Sequence, residues 1–82
     1  MTMTIAEFVN LKWQFSSHIA LADEHVVTHY VKYNRHHFTI CKHIPSMEYK
    51  MEHPYARSYT HYVIDDAVYK TKKKLIEAIK EL

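Results

Sequence analysis

Glycine is missing from all 82 residues of this chain, where an ordinary protein of that length has about six. Without it no Gly-rich loop can cradle a phosphate, which excludes Walker-type nucleotide hydrolysis and dinucleotide binding. Most type I′ hairpin turns lose their usual residue as well. Any positive-φ position then falls to an Asn or Asp, and Asn34 and Asp65 or Asp66 are the candidates. The single cysteine, Cys41, allows no internal disulfide and points to a reducing compartment. No apolar run approaches the roughly 20 residues of a membrane span, and no secretory h-region follows the start. A cytoplasmic protein without membrane insertion is therefore expected.

What remains is apolar enough to fold, with 48% hydrophobic residues, too many for a disordered chain. Residues 1–82 read as one domain. A domain so short buries only about 60–65% of its unfolded surface and gains stability if a partner or a second copy covers more. The net charge is +2 with histidine neutral, so the chain is not a polycation. Its eight histidines make that charge rise in mild acid.

The strongest pattern runs from His25 to Ile44. Read as a hairpin, it places Val27, Val31, Tyr33, Phe38, Ile40 and Ile44 on one face. Val26, Thr28, Tyr30, Lys32, His37, Thr39, Cys41 and His43 fall on the other, because successive strand residues point to opposite sides. Strands 25–33 and 38–44 joined by a four-residue loop at Asn34–His37 follow. The Pro-bounded stretch 45–57 reads as a long surface loop, and 58–64 alternates again as a third strand.

Helices flank these strands. Thr4 with Glu7 has capping-box spacing, and Ile5, Phe8, Leu11, Phe15, Ile19 and Ala22 follow one helical stripe, which predicts a helix over 4–20. Asp65–Asp66 is a helix start, and Val68, Leu75, Ile79 and Leu82 keep a helical period over 66–81. The rival reading makes Ala67–Lys70 a short strand, with Thr71 capping a helix that begins at Lys72. Three lysines would then sit at the positive end of the macrodipole, which favours the single helix. The expected fold is α+β, in the order α-β-β-β-α. A three-stranded antiparallel sheet carries two helices on one face. The open face then shows Tyr30, Lys32, Thr39, Cys41 and His43, with either Thr60 and Tyr62 or Tyr59 and His61, since a one-residue slip exchanges the two sets.

No constellation in the chain assembles a catalytic set. His25 and His29 share one strand face while Cys41 and His43 share the other, so the four do not converge on a zinc ion. Cys41 has no Gly-flanked elbow to strain it as a nucleophile, and Asp65–Asp66 serve as caps. Neither metal nor cofactor is expected, and the chain reads as a non-enzyme. Seven tyrosines exceed what a core needs, and aromatic, Met and Arg side chains are enriched at protein interfaces. Trp13, Tyr30, Arg57, Tyr59 and Tyr62 are the expected contacts to a protein partner. Met47 and Met51 are either adaptable contacts or loop anchors. The leading expectation is a binding protein that inhibits or regulates a macromolecular partner by stoichiometric contact, as a homodimer. The alternative is RNA binding through Arg35, Lys70, Lys72, Lys73 and Lys74 with the tyrosines, since phosphate contact needs lysines but no fixed geometry.

The α-β-β-β-α order and the run Thr71–Lys72–Lys73–Lys74 resemble double-stranded-RNA-binding domains and their lysine-rich second helix. The family's glycine-bearing turn and second-helix alanines are absent; Leu75, Ile76 and Ala78 stand there. In size, lack of glycine, single cysteine and wealth of Tyr and His, the chain is also similar to small bacteriophage accessory proteins. That resemblance implies inhibition of a host protein, in host cytoplasm.

Overall fold

Five antiparallel strands, in a computed structural model that describes residues 3–82, pair in chain order as a meander. They are β1 (Gln14–Ala20), β2 (Glu24–Tyr33), β3 (His36–Pro45), β4 (Tyr59–Ile64) and β5 (Ala67–Tyr69). Three short helices accompany them, α1 (Ile5–Val9), α2 (Met47–Glu52) and α3 (Lys72–Ile79). The expected three-stranded sheet is thus corrected to five strands, with both extra strands taken from segments expected to be helical.

The helix expected over 4–20 stops after one turn. Thr4 does cap it: its side chain accepts from the Glu7 N–H at 3.2 Å, and the Glu7 carboxylate accepts from the Thr4 N–H at 3.2 Å. Asn10, a weak helix former, then closes the turn on the Ala6 and Phe8 carbonyls. Beyond it the chain turns extended, and β1 pairs with β2 from Gln14↔Tyr30 to Ala20↔His25. A helix there would leave the outer N–H and C=O groups of the ten-residue β2 without that partner. The stripe positions Phe15 and Ile19 accordingly stay 60% and 52% exposed rather than packing inward.

At the other end, the rival reading is the one the fold adopts, and the helix expected over 66–81 is corrected. Asp65 and Asp66 form a two-residue turn instead of a cap, with Asp65 at φ 54°. Ala67–Tyr69 pairs with β4, and Thr71 caps α3 by accepting from the Lys74 N–H at 3.2 Å. Three exposed lysines at a helix start oppose the dipole by a few tenths of a kcal/mol each, and salt screens them. Burying Leu75 and Ile79 completely is worth about 1.5–3 kcal/mol per side chain, which outweighs that opposition.

The β2–β3 hairpin is tighter than the expected four-residue loop. Tyr33 pairs with His36, leaving Asn34 and Arg35 as the turn at φ 46° and 71°. Positive φ at both central residues is the type I′ signature that matches strand twist. Arg35 adopts it without being Gly, Asn or Asp. The Asp65 turn braces this end: its carboxylate accepts from His37 N–H at 3.0 Å and from His36 Nδ1–H at 2.9 Å.

The core lies at that braced end. Met3, Phe8, Phe38, Ile64, Leu75 and Ile79 are buried there, flanked by Trp13, Val31, Tyr33, Ile40, Tyr62 and Tyr69. The sheet residues among them occupy one face, on which α1 and α3 sit. Within the expected surface loop 45–57 lies α2, capped by Ser46, with no buried residue of its own. Ser46 ties it to the β1–β2 turn through the Ala22 and Asp23 carbonyls.

Candidate functional site

Register decides which side chains share the open face. Cys41 pairs with His61 and His43 with Tyr59, so Tyr59 and His61, not Thr60 and Tyr62, stand beside Tyr30, Thr39, Cys41 and His43. Tyr62 turns to the helix face, where its ring meets Phe8 edge-on at 6.2 Å. Trp13 is likewise structural. It packs against Phe8 at 5.1 Å, and its Nε1–H donates to the Phe8 carbonyl at 3.0 Å. Of the five expected protein contacts, Trp13 and Tyr62 are therefore half-buried against the core. Tyr30, Arg57 and Tyr59 remain exposed.

A polar line crosses the open face from β2 to β4. The Glu24 carboxylate accepts from His43 Nδ1–H at 3.2 Å, and His43 Nε2 lies 2.9 Å from His61 Nδ1. Because a carboxylate only accepts, His43 holds its proton on Nδ1. The contact between His43 Nε2 and His61 Nδ1 is bridged by the proton of one of the two rings. The His61 pKa lies below its ordinary value because partial burial disfavours the cation, and His43 and Lys70 repel it. Tyr59 stacks flat on His43, centroids 4.3 Å apart and planes at 4°. The Thr28 hydroxyl donates to Cys41 Sγ at 3.7 Å.

The Tyr59–His43 pair walls two hollows. One, of about 350 Å³, is closed by Asp23, Glu24, Pro45, Tyr49, Ala56 and Arg57. The other, of about 380 Å³, is closed by His61, Val68 and Lys70. Beside the first hollow, α2 and the segment after it turn apolar side chains outward. Met47 is 84% exposed, Met51 81% and Tyr55 94%. Met47 and Met51 are four residues apart and so share one helix face. Tyr49 points the other way, stacks on His53 at 4.2 Å and lines the hollow. Neither Met anchors the loop, so the anchoring reading of these residues is corrected.

The five basic positions lie on different elements. Arg35 occupies the β2–β3 turn near Asp65, whereas Lys72, Lys73 and Lys74 enter after β5 has run back from that turn. Lys70 borders the second hollow. His25 and His29 lie on the helix face, away from Cys41 and His43. Among the described residues no group of three or more His, Cys, Asp or Glu is placed to hold a metal ion. No helix among the described residues is long and apolar enough to cross a membrane. Glu24 escaped the sequence reading altogether, whereas Tyr55 belongs to the tyrosines expected to add contact surface. Glu24 begins the His25 alternation and shares the parity of Val26 and Thr28, the one signal that pointed to it.

Comparison with protein-family models, curated proteins and solved structures finds no match to this chain.

Proposed function

We propose that this chain is a non-enzymatic binding protein that inhibits or regulates a macromolecular partner, a protein, by stoichiometric contact at its α2 end. The observation that carries this reading is the outward display of Met47, Met51 and Tyr55 next to the Arg57–Tyr59 hollow. Unbranched, polarisable methionine side chains adapt to a partner surface. Tyr and Arg beside a hollow are the residue types on which interface energy concentrates. Solvating such side chains on a helix that buries nothing has no benefit to the fold itself. The composition shared with small bacteriophage accessory proteins supports a host protein as the partner, met in the cytoplasm.

The test is affinity capture from host lysate with the wild-type chain and with Met47→Glu/Met51→Glu, each with and without nuclease, followed by mass spectrometry. A stoichiometric protein that nuclease leaves in place and the double variant loses supports the reading. Recovery of RNA instead, with affinity falling steeply with salt and lost on Lys72→Ala/Lys73→Ala/Lys74→Ala, replaces it with nucleic-acid binding.

A further inference from the structure

The two edges of the sheet are guarded unequally. β5 is three residues long and is followed at once by α3, a short edge that offers little to a second strand. β1 is seven residues long, Gln14–Ala20, with neither a charged side chain nor a proline among them. Alternate N–H and C=O groups on its outer side point away from β2. Its only irregularity is the register shift between Phe15 and Ser17, beyond which Ser17–Ala20 pairs regularly. Phe15, Ile19 and the adjoining Leu21 are 60%, 52% and 50% exposed. Such an edge is a template for strand addition.

The size of the missing cover is legible in the surface area. The chain exposes 6308 Å², whereas a folded monomer of its 9.9 kDa exposes about 5,200 Å². The excess of about 1,100 Å² is somewhat more than the roughly 800 Å² that one partner buries in a standard protein–protein interface. The shape agrees. The radius of gyration is 14.3 Å and the extents 46 × 23 × 21 Å, against about 12 Å for the radius of a compact chain of this length.

Charge says which strand fits. β1 is preceded by exposed Lys12 and followed, across the turn, by exposed Asp23. Ser17 and His18 lie midway between them in the chain. Antiparallel pairing of β1 with its own copy therefore brings the Lys12 end of each chain alongside the Asp23 end of the other. Parallel pairing sets like charge against like. A twofold axis needs only this self-complementarity, and it closes the assembly at two chains. We infer that the chain is a homodimer joined β1 to β1, the two five-stranded sheets continuing into one another across the seam. The seam lies on the opposite edge of the sheet from β5 and does not use Met47, Met51 or Tyr55. The seam adjoins the partner site proposed above only at Asp23, which also closes the Arg57–Tyr59 hollow.

Sedimentation equilibrium across the micromolar range tests it on the full chain, together with hydrogen exchange of the β1 amides at low and high concentration. The expected result is a mass of twice 9.9 kDa, with Ser17–Ala20 amides that slow as concentration rises. Phe15→Lys/Ile19→Lys is expected to weaken self-association by about a hundredfold, tenfold per site, with an unchanged circular dichroism spectrum, because both side chains already face solvent in the single chain. If that variant does not fold, the concentration dependence of wild-type exchange decides alone. A wild-type chain that sediments at 9.9 kDa throughout overturns the inference, as does a dimer whose β1 amides ignore concentration. A dimer that survives Phe15→Lys/Ile19→Lys but is lost with Met47→Glu/Met51→Glu overturns it too, and assigns the self-contact to α2.

Discussion

The two ends of this sheet are built from similar residues and live in different ways. At the turn end, Phe38 and Ile64 are sealed by Phe8, Leu75 and Ile79, and Asp65 ties both turns together. At the α2 end the same strands continue through Val26, Val27, Cys41 and Ile44 without a single buried side chain. Helices α1 and α3 are too short, at five and eight residues, to cover a sheet with ten-residue strands. The difference teaches that stability and contact surface are divided along the strand axis. The sealed end holds the fold, and the rest of the sheet is left for other molecules.

The largest effect that can break this division is a core truncation. Phe38→Ala removes a ring that is 0% exposed and packed on Phe8 and Tyr33. It should cost about 3–5 kcal/mol, enough to unfold most of a domain this small. Ile44→Ala, in the same strand but only half-buried, should cost about 1 kcal/mol or less. Urea denaturation of the pair measures the contrast. Equal losses would show that the α2 end is as much a core as the turn end.

Next in size is the start of α3. Thr71→Ala removes the acceptor of the Lys74 N–H and should cost about 1 kcal/mol. Lysines at a helix start make that loss harder to offset, so Thr71→Asp, which caps and adds a negative charge at the dipole's positive end, should hold or raise the denaturation midpoint.

A comparable effect of opposite sign is expected at the hairpin tip. Arg35 holds φ 71°, a left-handed conformation that costs a residue with a Cβ about 1 kcal/mol. Arg35→Gly should therefore raise stability by up to about 1 kcal/mol, less whatever glycine's freedom in the unfolded chain subtracts. Thermal melts of the two proteins report it directly. A lowered melting temperature would mean that the Arg35 side chain contributes more than its backbone costs.

These positions also mark what the chain's pattern does and does not reveal. The alternation of 25–44 was legible because one face of that hairpin is needed for the core, so period two is enforced by burial. The capping box at Thr4 was legible because capping is local, whereas the Thr71 cap stood only in the rival reading, set aside because of the three lysines that follow it. β1 was not, because its exposed Phe15 and Ile19 answer to no core and their four-residue spacing imitates a helix. The choice between Tyr59 with His61 and Thr60 with Tyr62 was also closed to the sequence, since both parities put aromatics on each face. Only the pairing Cys41↔His61 separates them. The exposure of Met47 and Met51 depends on where α2 is tethered, and that is fixed by Ser46 reaching the β1–β2 turn, a contact no local pattern encodes.

The smallest effect is the one that titrates, and it reports from both ends at once. His61 holds its proton less tightly when folded than its ordinary value of 6.5. The unfolded chain therefore takes up that proton first as pH falls, and stability declines from 6.5 downward until the folded histidine is protonated too. Asp65 behaves with the same sign at the turn end. The hydrogen bonds from His36 and His37 hold its carboxyl below the ordinary 3.8, so its contribution is present above that value and lost as pH falls through the folded pKa. Denaturant midpoints measured against pH should fall in two steps, one just below 6.5 and one below 3.8. His61→Gln should flatten the part of the first step that belongs to His61 and leave the second, whereas Asp65→Asn should do the reverse. If one substitution removes both steps, the two ends do not respond independently, and the sheet transmits between its sealed and open halves what their packing keeps apart.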